Sequence, residues 1–167
     1  VAKVCGLEYP GGPLVDKLSK LGNDTYDLPM PLDDDSYNFS FSGIKSAVIN
    51  VIHNEKQRGN EIRVNDMCNS FQERVVSVLV KKTIRAMEEY GVKNLVLAGG
   101  VAANSYLRSR MEEECVKRGF SFGYPKIKYC TDNAAMIGAA AYYAYKKGKV
   151  ADLTLNAVAV DTLYNEE

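Results

Sequence analysis

Residues 95–107, Leu-Val-Leu-Ala-Gly-Gly-Val-Ala-Ala-Asn-Ser-Tyr-Leu, constrain this chain more than any other stretch. A short apolar run over 94–98 stops at two glycines, and a helix-forming segment follows at once. Strand, glycine turn and helix in that order form the unit from which α/β layers are built. Gly99 and Gly100 remove two β-carbons from the turn, so backbone amides can closely approach a ligand. The new helix points unpaired N–H groups and its positive dipole end at whatever sits there, which favours phosphate or a nucleotide sugar. Asn104 is placed either to cap that helix or to touch the ligand. A plain tight turn followed by a capped helix uses the same residues. On this stretch alone both readings stand.

The 167 residues allow one domain, or one lobe of a larger protein. Lysine plus arginine equals aspartate plus glutamate at 21 each, so no global field recruits nucleic acid or membrane. The four cysteines, Cys5, Cys68, Cys115 and Cys130, form no CxxC pair and no metal-type spacing with His53, the single histidine. They read as reduced, small core residues. No run is long enough to span a bilayer and no signal-peptide layout is present, so a soluble, cytoplasmic chain is expected. The start, Val-Ala-Lys-Val-Cys-Gly, reads as the last turn of a helix closed by Gly6, and upstream sequence is expected to be missing.

Along the chain, Gly11 and Gly12 open a short helix with Pro13 at its first position, Asp16 on its first turn and Gly22 closing it. Asp33-Asp34-Asp35 reads as a solvated loop. Tyr37 to Phe41 alternates aromatic and polar residues as a half-buried strand would, and a helix follows from Ser42 to near Lys56. Val76, Leu79, Val80, Thr83, Ile84 and Met87 recur at helical steps and predict one apolar stripe, ended by Gly91. Then come a strand over 94–98, a helix from about Ala103 to Lys117, a strand over 120–124 and an alanine-rich helix to about Lys146. Its small residues would let that last helix lie close against a sheet or a second helix. The tail after Val150 shows only weak, short apolar runs. The order is a helix-rich first half, then strand, helix, strand, helix: an α/β lobe with a helical insertion.

Two glycine pairs that open helices, with Asp132 at a third helix start, form the candidate chemistry. A ribose hydroxyl pair wants a carboxylate or amide acceptor, for which Asp16 is placed. A metal or phosphate wants an oxygen ligand at a loop–helix junction, and Asp132 fits that role or that of a helix cap.

Four strings carry a family resemblance: Tyr-Pro-Gly-Gly-Pro-Leu-Val-Asp-Lys-Leu (9–18), Phe-Ser-Phe-Ser-Gly-Ile-Lys-Ser-Ala (39–47), Leu-Ala-Gly-Gly-Val-Ala-Ala-Asn-Ser-Tyr-Leu-Arg (97–108) and Tyr-Cys-Thr-Asp-Asn-Ala-Ala-Met-Ile-Gly (129–138). In this order they closely resemble the TsaD family in its bacterial form. These are the tRNA N6-adenosine threonylcarbamoyltransferases, long labelled glycoproteases or O-sialoglycoprotein endopeptidases. The resemblance implies an actin-like ATPase fold of two ribonuclease H-like lobes with a nucleotide between them. It implies transfer of a threonylcarbamoyl group from threonylcarbamoyl-AMP to N6 of the adenosine beside the anticodon, in tRNAs reading ANN codons. Gly12, Asp16 and Asn104 match residues that contact the adenylate, with Gly99 and Gly100 in the same motif, and Asp132 matches a ligand of an iron or zinc ion. tRNA and TsaB- and TsaE-like proteins are the implied partners. No residue of this chain is implied as a general base or nucleophile.

The departures are large. The family's HxxxH pair of metal ligands and its Ser-Gly-Gly-His phosphate loop are absent, and His53 stands in another context. The chain therefore reads as the C-terminal lobe alone, with the N-terminal lobe missing. Residues 14–90 or so would be the mainly helical insertion and about 92–148 the nucleotide-binding part. Such a piece would hold half of the cleft and one metal ligand, and would be inactive by itself. Other readings keep the fold but change the chemistry: a sugar kinase or chaperone-type ATPase, or a non-catalytic scaffold of the same pathway. Lys45, Lys56, Arg58, Lys81, Lys82 and Arg85 offer a possible basic patch for tRNA, or plain solvated helix faces.

Overall fold

The computed structural model describes residues 1–156. Its helices are α1 (Gly11–Ser19), α2 (Ser42–Gln57), α3 (Val64–Glu89), α4 (Ser105–Lys117) and α5 (Ala134–Lys146), and its strands are β1 (Asn94–Val96) and β2 (Ser121–Gly123). Two compact units divide between Thr131 and Asp132. The tail expected after Val150 reaches past the described residues.

The first unit is organised by α3, a rod of 26 residues and so about 39 Å long. Along it, Cys68, Gln72, Val76, Val80 and Ile84 follow one another at four-residue steps, and all are buried. The upper part of that row joins Met87 and, from α4, Leu107, Met111 and Cys115. Leu95, Leu97, Phe120 and Phe122 from β1, β2 and their flanks close this core from the other side. At the lower end Met67 packs with Leu28, Val48 and Ile52, which ties α2 and the 26–28 segment to α3. The predicted stripe is thus the spine of the fold.

Strands β1 and β2 are parallel, with Asn94 opposite Ser121, Leu95 opposite Phe122 and Val96 opposite Gly123. Parallel neighbours need a crossover, and α4 supplies it. The chain is therefore helix-rich with a small parallel sheet, in the order expected.

Several local expectations are corrected. Pro13 is the third residue of α1, and Asp16 lies on its second turn, not its first. That helix ends at Ser19 with Lys20 as its C-cap, before Gly22 is reached. Helix α4 starts at Ser105, because a 3-10 turn over Gly100–Ala103 intervenes after the glycine pair. Residues 37–41 form no strand. The aromatic rings there are taken up by cations of α3 instead: Tyr37 lies under Arg85, 4.9 Å from ring centre to guanidinium, and Phe39 under Lys82 at 5.8 Å.

The acidic loop is not simply solvated. Asp33 pairs with Lys81 at 2.6 Å, Asp34 with Lys82 at 2.7 Å and Asp35 with Arg85 at 3.7 Å. Arg58 pairs with Glu55 at 3.1 Å. Four of the six cations considered as a tRNA patch thus have acidic partners. Helix α5 lies in the second unit and has no buried residue.

All four cysteines are free thiols. Burial pushes Cys68 up to about 11 and raises Cys5 and Cys115, which keeps these three protonated and unreactive near neutral pH.

Candidate functional site

Two helix starts meet across one cleft. Pro10 precedes α1 without a side-chain cap, and Pro13 has no N–H to give, so the amides of Gly11 and Gly12 lack intrahelical acceptors. Opposite, Gly99 adopts φ 86°, a left-handed conformation that favours glycine, and swings the chain into the Gly100–Ala103 turn. A β-carbon on Gly12, Gly99 or Gly100 would meet no protein atom within 4 Å. These glycines are not making room for neighbouring protein; they leave bare backbone facing open space.

That space is a cleft of about 480 Å³ lined by Gly12, Pro13, Asp16, Gly100, Val101, Ala103, Asn104 and Ile127. Four of the sequence candidates, Gly12, Asp16, Gly100 and Asn104, therefore share one cavity although they lie up to 92 positions apart. Gly99 acts one residue behind the wall as the turn-maker.

Asp16 joins the two walls. Its carboxylate accepts from Ser105 Oγ at 2.9 Å and from Ser105 N at 3.3 Å, at the positive end of α4. Lys20 Nζ lies 3.6 Å from the same group. A carboxylate has about four acceptor positions, so it keeps capacity for a ligand hydroxyl. Asn104 is the N-cap of α4, its Oδ1 accepting from Leu107 N at 2.8 Å. Of the two roles open to it, the cap is occupied, and the residue lines the cleft as well.

The cleft thus offers backbone and amide donors on both walls and a carboxylate acceptor between them. Such a set suits a ligand that carries hydroxyl donors together with anionic or carbonyl acceptors. Residues 1–139 match the TsaD family, described as tRNA N6-adenosine threonylcarbamoyltransferase. The chain belongs to this family.

Relatives agree. The tRNA N6-adenosine threonylcarbamoyltransferase of Bacillus cereus is 56% identical over 159 residues, 94% of this chain and 46% of that protein. Proteins of the same name from Staphylococcus saprophyticus and Staphylococcus aureus strain Newman are each 52% identical over 157 residues, 93% of this chain and 46% of theirs. The chain spans about half the length of the curated relatives it matches.

Within this TsaD-family chain Asp132 falls in the other compact unit from the residues that line the cleft. It opens the second compact unit and is exposed. It is not the cap of α5: Asn133 takes that place, accepting from Met136 N at 3.0 Å. The cap alternative for Asp132 is overturned. Among the described residues no group of three or more His, Cys, Asp or Glu side chains could hold a metal ion. The described residues do not make a metal centre by themselves.

Two residues behind the cleft escaped the sequence reading. Gln72 of α3 and Ser19 of α1 are buried and hydrogen-bonded to each other, and Gln72 also bonds Asn104. A signal was available: Gln72 falls four residues before Val76, so it continues the apolar stripe as a polar side chain on the buried face. Arg108, the last residue of the third motif, also proves structural. Its Nε donates to the Ala102 carbonyl and its Nη2 to that of Pro125 at 3.2 Å, while the guanidinium lies 4.3 Å from the Tyr124 ring centre. It braces the turn after Gly99 against the segment after β2. Among the described residues no helix is long and apolar enough to cross a membrane.

Proposed function

We propose that this chain forms half of the nucleotide cleft of a tRNA N6-adenosine threonylcarbamoyltransferase. The intact protein transfers the threonylcarbamoyl group from threonylcarbamoyl-AMP to N6 of the adenosine beside the anticodon, in tRNAs reading ANN codons. The observation that carries the reading is the convergence of Gly12, Asp16, Gly100 and Asn104 on one cleft with donors on both walls. In this reading the glycines let the ribose and phosphate approach the backbone, Asp16 accepts from a ribose hydroxyl, and Asn104 meets the nucleotide from the facing wall.

The architecture belongs with it. The β1–α4–β2 unit is the sheet-bearing part of an actin-like, ribonuclease H-like lobe, residues from about 92 to 148 forming the nucleotide-binding part and about 14–90 its helical insertion. TsaB- and TsaE-like proteins are the partners, and the cytoplasm is the compartment.

In the transfer, the adenosine amine forms a bond to the carbamoyl carbon while the bond from that carbon to the phosphate oxygen breaks. AMP leaves with the electron pair, and the amine loses a proton. The carbon arrives already activated, so this chain needs no nucleophile and supplies no general base. Its residues hold the adenylate, set its orientation and meet the charge that grows on the departing phosphate with backbone N–H groups. Asp132 would give one ligand to an iron or zinc ion, whose histidine ligands would come from outside these 167 residues. The described residues do not make that centre by themselves, and the 167 residues alone transfer nothing.

Gly12→Ala tests the cleft. The residue lies in the first turn of a helix with open space at its Cβ. Alanine should leave the fold intact, or stabilise it by about 0.5–1 kcal/mol where the position counts as helix interior. AMP affinity of the intact protein should nevertheless fall about tenfold, because the methyl group occupies ligand space. Calorimetric titration with AMP beside a urea melt reads both, and unchanged affinity would sink the reading.

A further inference from the structure

The hydrogen bonds behind the cleft run as a single directed relay. Leu107 N donates to Asn104 Oδ1 at 2.8 Å, Asn104 Nδ2 to Gln72 Oε1 at 2.7 Å, Gln72 Nε2 to Ser19 Oγ at 2.7 Å, and Ser19 Oγ to the Asp16 carbonyl at 3.0 Å. The two ends settle every orientation between them. A backbone N–H can only donate, so Asn104 must turn its oxygen to Leu107 and its nitrogen to Gln72. A backbone carbonyl can only accept, so the Ser19 hydroxyl must spend its proton there and receive one from Gln72. Neither side-chain amide can flip without breaking two bonds among buried and half-buried groups, where an unmade bond is costly. Gln72 is 6% exposed and Ser19 2%.

The relay links three helices. It starts on α4, crosses α3 at Gln72 and ends on α1 at the carbonyl of Asp16, the residue whose carboxylate holds Ser105. We infer that Gln72 is the positioning residue of the cleft: it locks the Asn104 side chain at a second point and fixes its nitrogen as the donor end. A ligand on that wall meets a preset amide whose remaining N–H suits an acceptor such as a ring nitrogen, a carbonyl or a phosphate oxygen. The inference rests on the nucleotide reading only for what Asn104 meets, not for how Asn104 is held.

Gln72→Met keeps the volume and removes both polar ends, whereas Gln72→Glu keeps the acceptor for Asn104. In the intact protein with 15N-labelled asparagine, Gln72→Met should bring the two Asn104 Nδ2 proton resonances together and speed their exchange with solvent. Gln72→Glu should leave them near their original positions. Signals unmoved by Gln72→Met would overturn the assignment. Where Gln72→Met does not fold, Ser19→Ala reads the relay one link further on: faster Nδ2 exchange supports it, and unchanged exchange overturns it.

AMP titration then separates positioning from packing. Loss of one anchoring hydrogen bond should weaken AMP binding roughly fivefold to tenfold. The same substitution made on Asn104→Ala should cost nothing further, because Gln72 acts through Asn104. Equal losses in both backgrounds would overturn the positioning role. If Asn104→Ala itself leaves AMP affinity unchanged, the nucleotide reading of Asn104 fails, and the resonance measurement still decides whether Gln72 positions it.

Discussion

Lys82 is 1% exposed on α3, and a lysine survives that burial only with its charge answered. Asp34 and the Asn38 carbonyl each accept from its Nζ at 2.7 Å, and the Phe39 ring lies 5.8 Å away. Lys82 first, and then Ser36, hold the Asp34 carboxyl at about 2, below its usual 3.8. A carboxyl depressed in the folded state stabilises above its unfolded value, and that contribution is lost as pH falls through the folded one. Asp34→Asn should therefore destabilise most above about pH 4, with the deficit shrinking toward pH 2. Urea midpoints for both proteins across that range check it, and a deficit independent of pH refutes it. Neither Lys82 nor Gln72 was legible as a buried residue from composition, because a polar side chain in a helix ordinarily marks the wet face. Gly12, Asp16 and Asn104 were legible as candidates because each stands at or near a helix start, where glycine, carboxylate and amide serve a ligand or the helix itself.

Elements were readable where their period is long and their ends are marked. Helix α2 runs from Ser42 as expected, and Gly91 at φ 66° follows the end of α3. Residues 37–41 were misread because alternation in so short a run reports only that Phe39 and Phe41 share a side. Their rings lie nearly parallel, 6° apart in tilt, in a loop whose Asn38 carbonyl is spent on Lys82 rather than on a neighbouring strand. The end of α1 was misplaced for a related reason: Gly22 serves contact between elements, not helix termination. A β-carbon there would come within 2.2 Å of the Asn65 carbonyl group and 2.6 Å of Asp66 N. The same segment is stitched to the start of α3 through Asn23 N and Asp66 Oδ1 at 2.9 Å and through Asn69 Nδ2 and the Ser19 carbonyl at 2.8 Å. Gly22→Ala must push α1 and its following loop away from α3, at a cost of about 1–3 kcal/mol. Gly43→Ala, in open space on α2, is the control and should cost nothing. Equal urea midpoints for the two variants would show that the α1–α3 contact yields without cost.

At the scale of the molecule, both hydrophobic clusters are built wholly from residues 1–122. The segment up to Thr131 adds Cys130, buried, with Arg108 Nη2 3.2 Å from its sulfur. From Asp132 onward no described residue is buried. Stability per residue follows burial, so the first unit should carry nearly all of the chain's unfolding free energy. A chain ended after Thr131 should keep one cooperative thermal transition, with its midpoint within about 3 °C of the 167-residue chain. Asp132 goes with the removed part, while Gly12, Asp16, Gly99, Gly100 and Asn104 remain. The shortened chain should therefore keep whatever AMP affinity the 167 residues have and lose any contribution to a metal centre. Differential scanning calorimetry and AMP titration on the same two proteins decide it. Loss of the cooperative transition would mean that the second unit stabilises the first. An unchanged transition with lost AMP binding would put a cleft residue beyond Thr131 and require the wall to be redrawn.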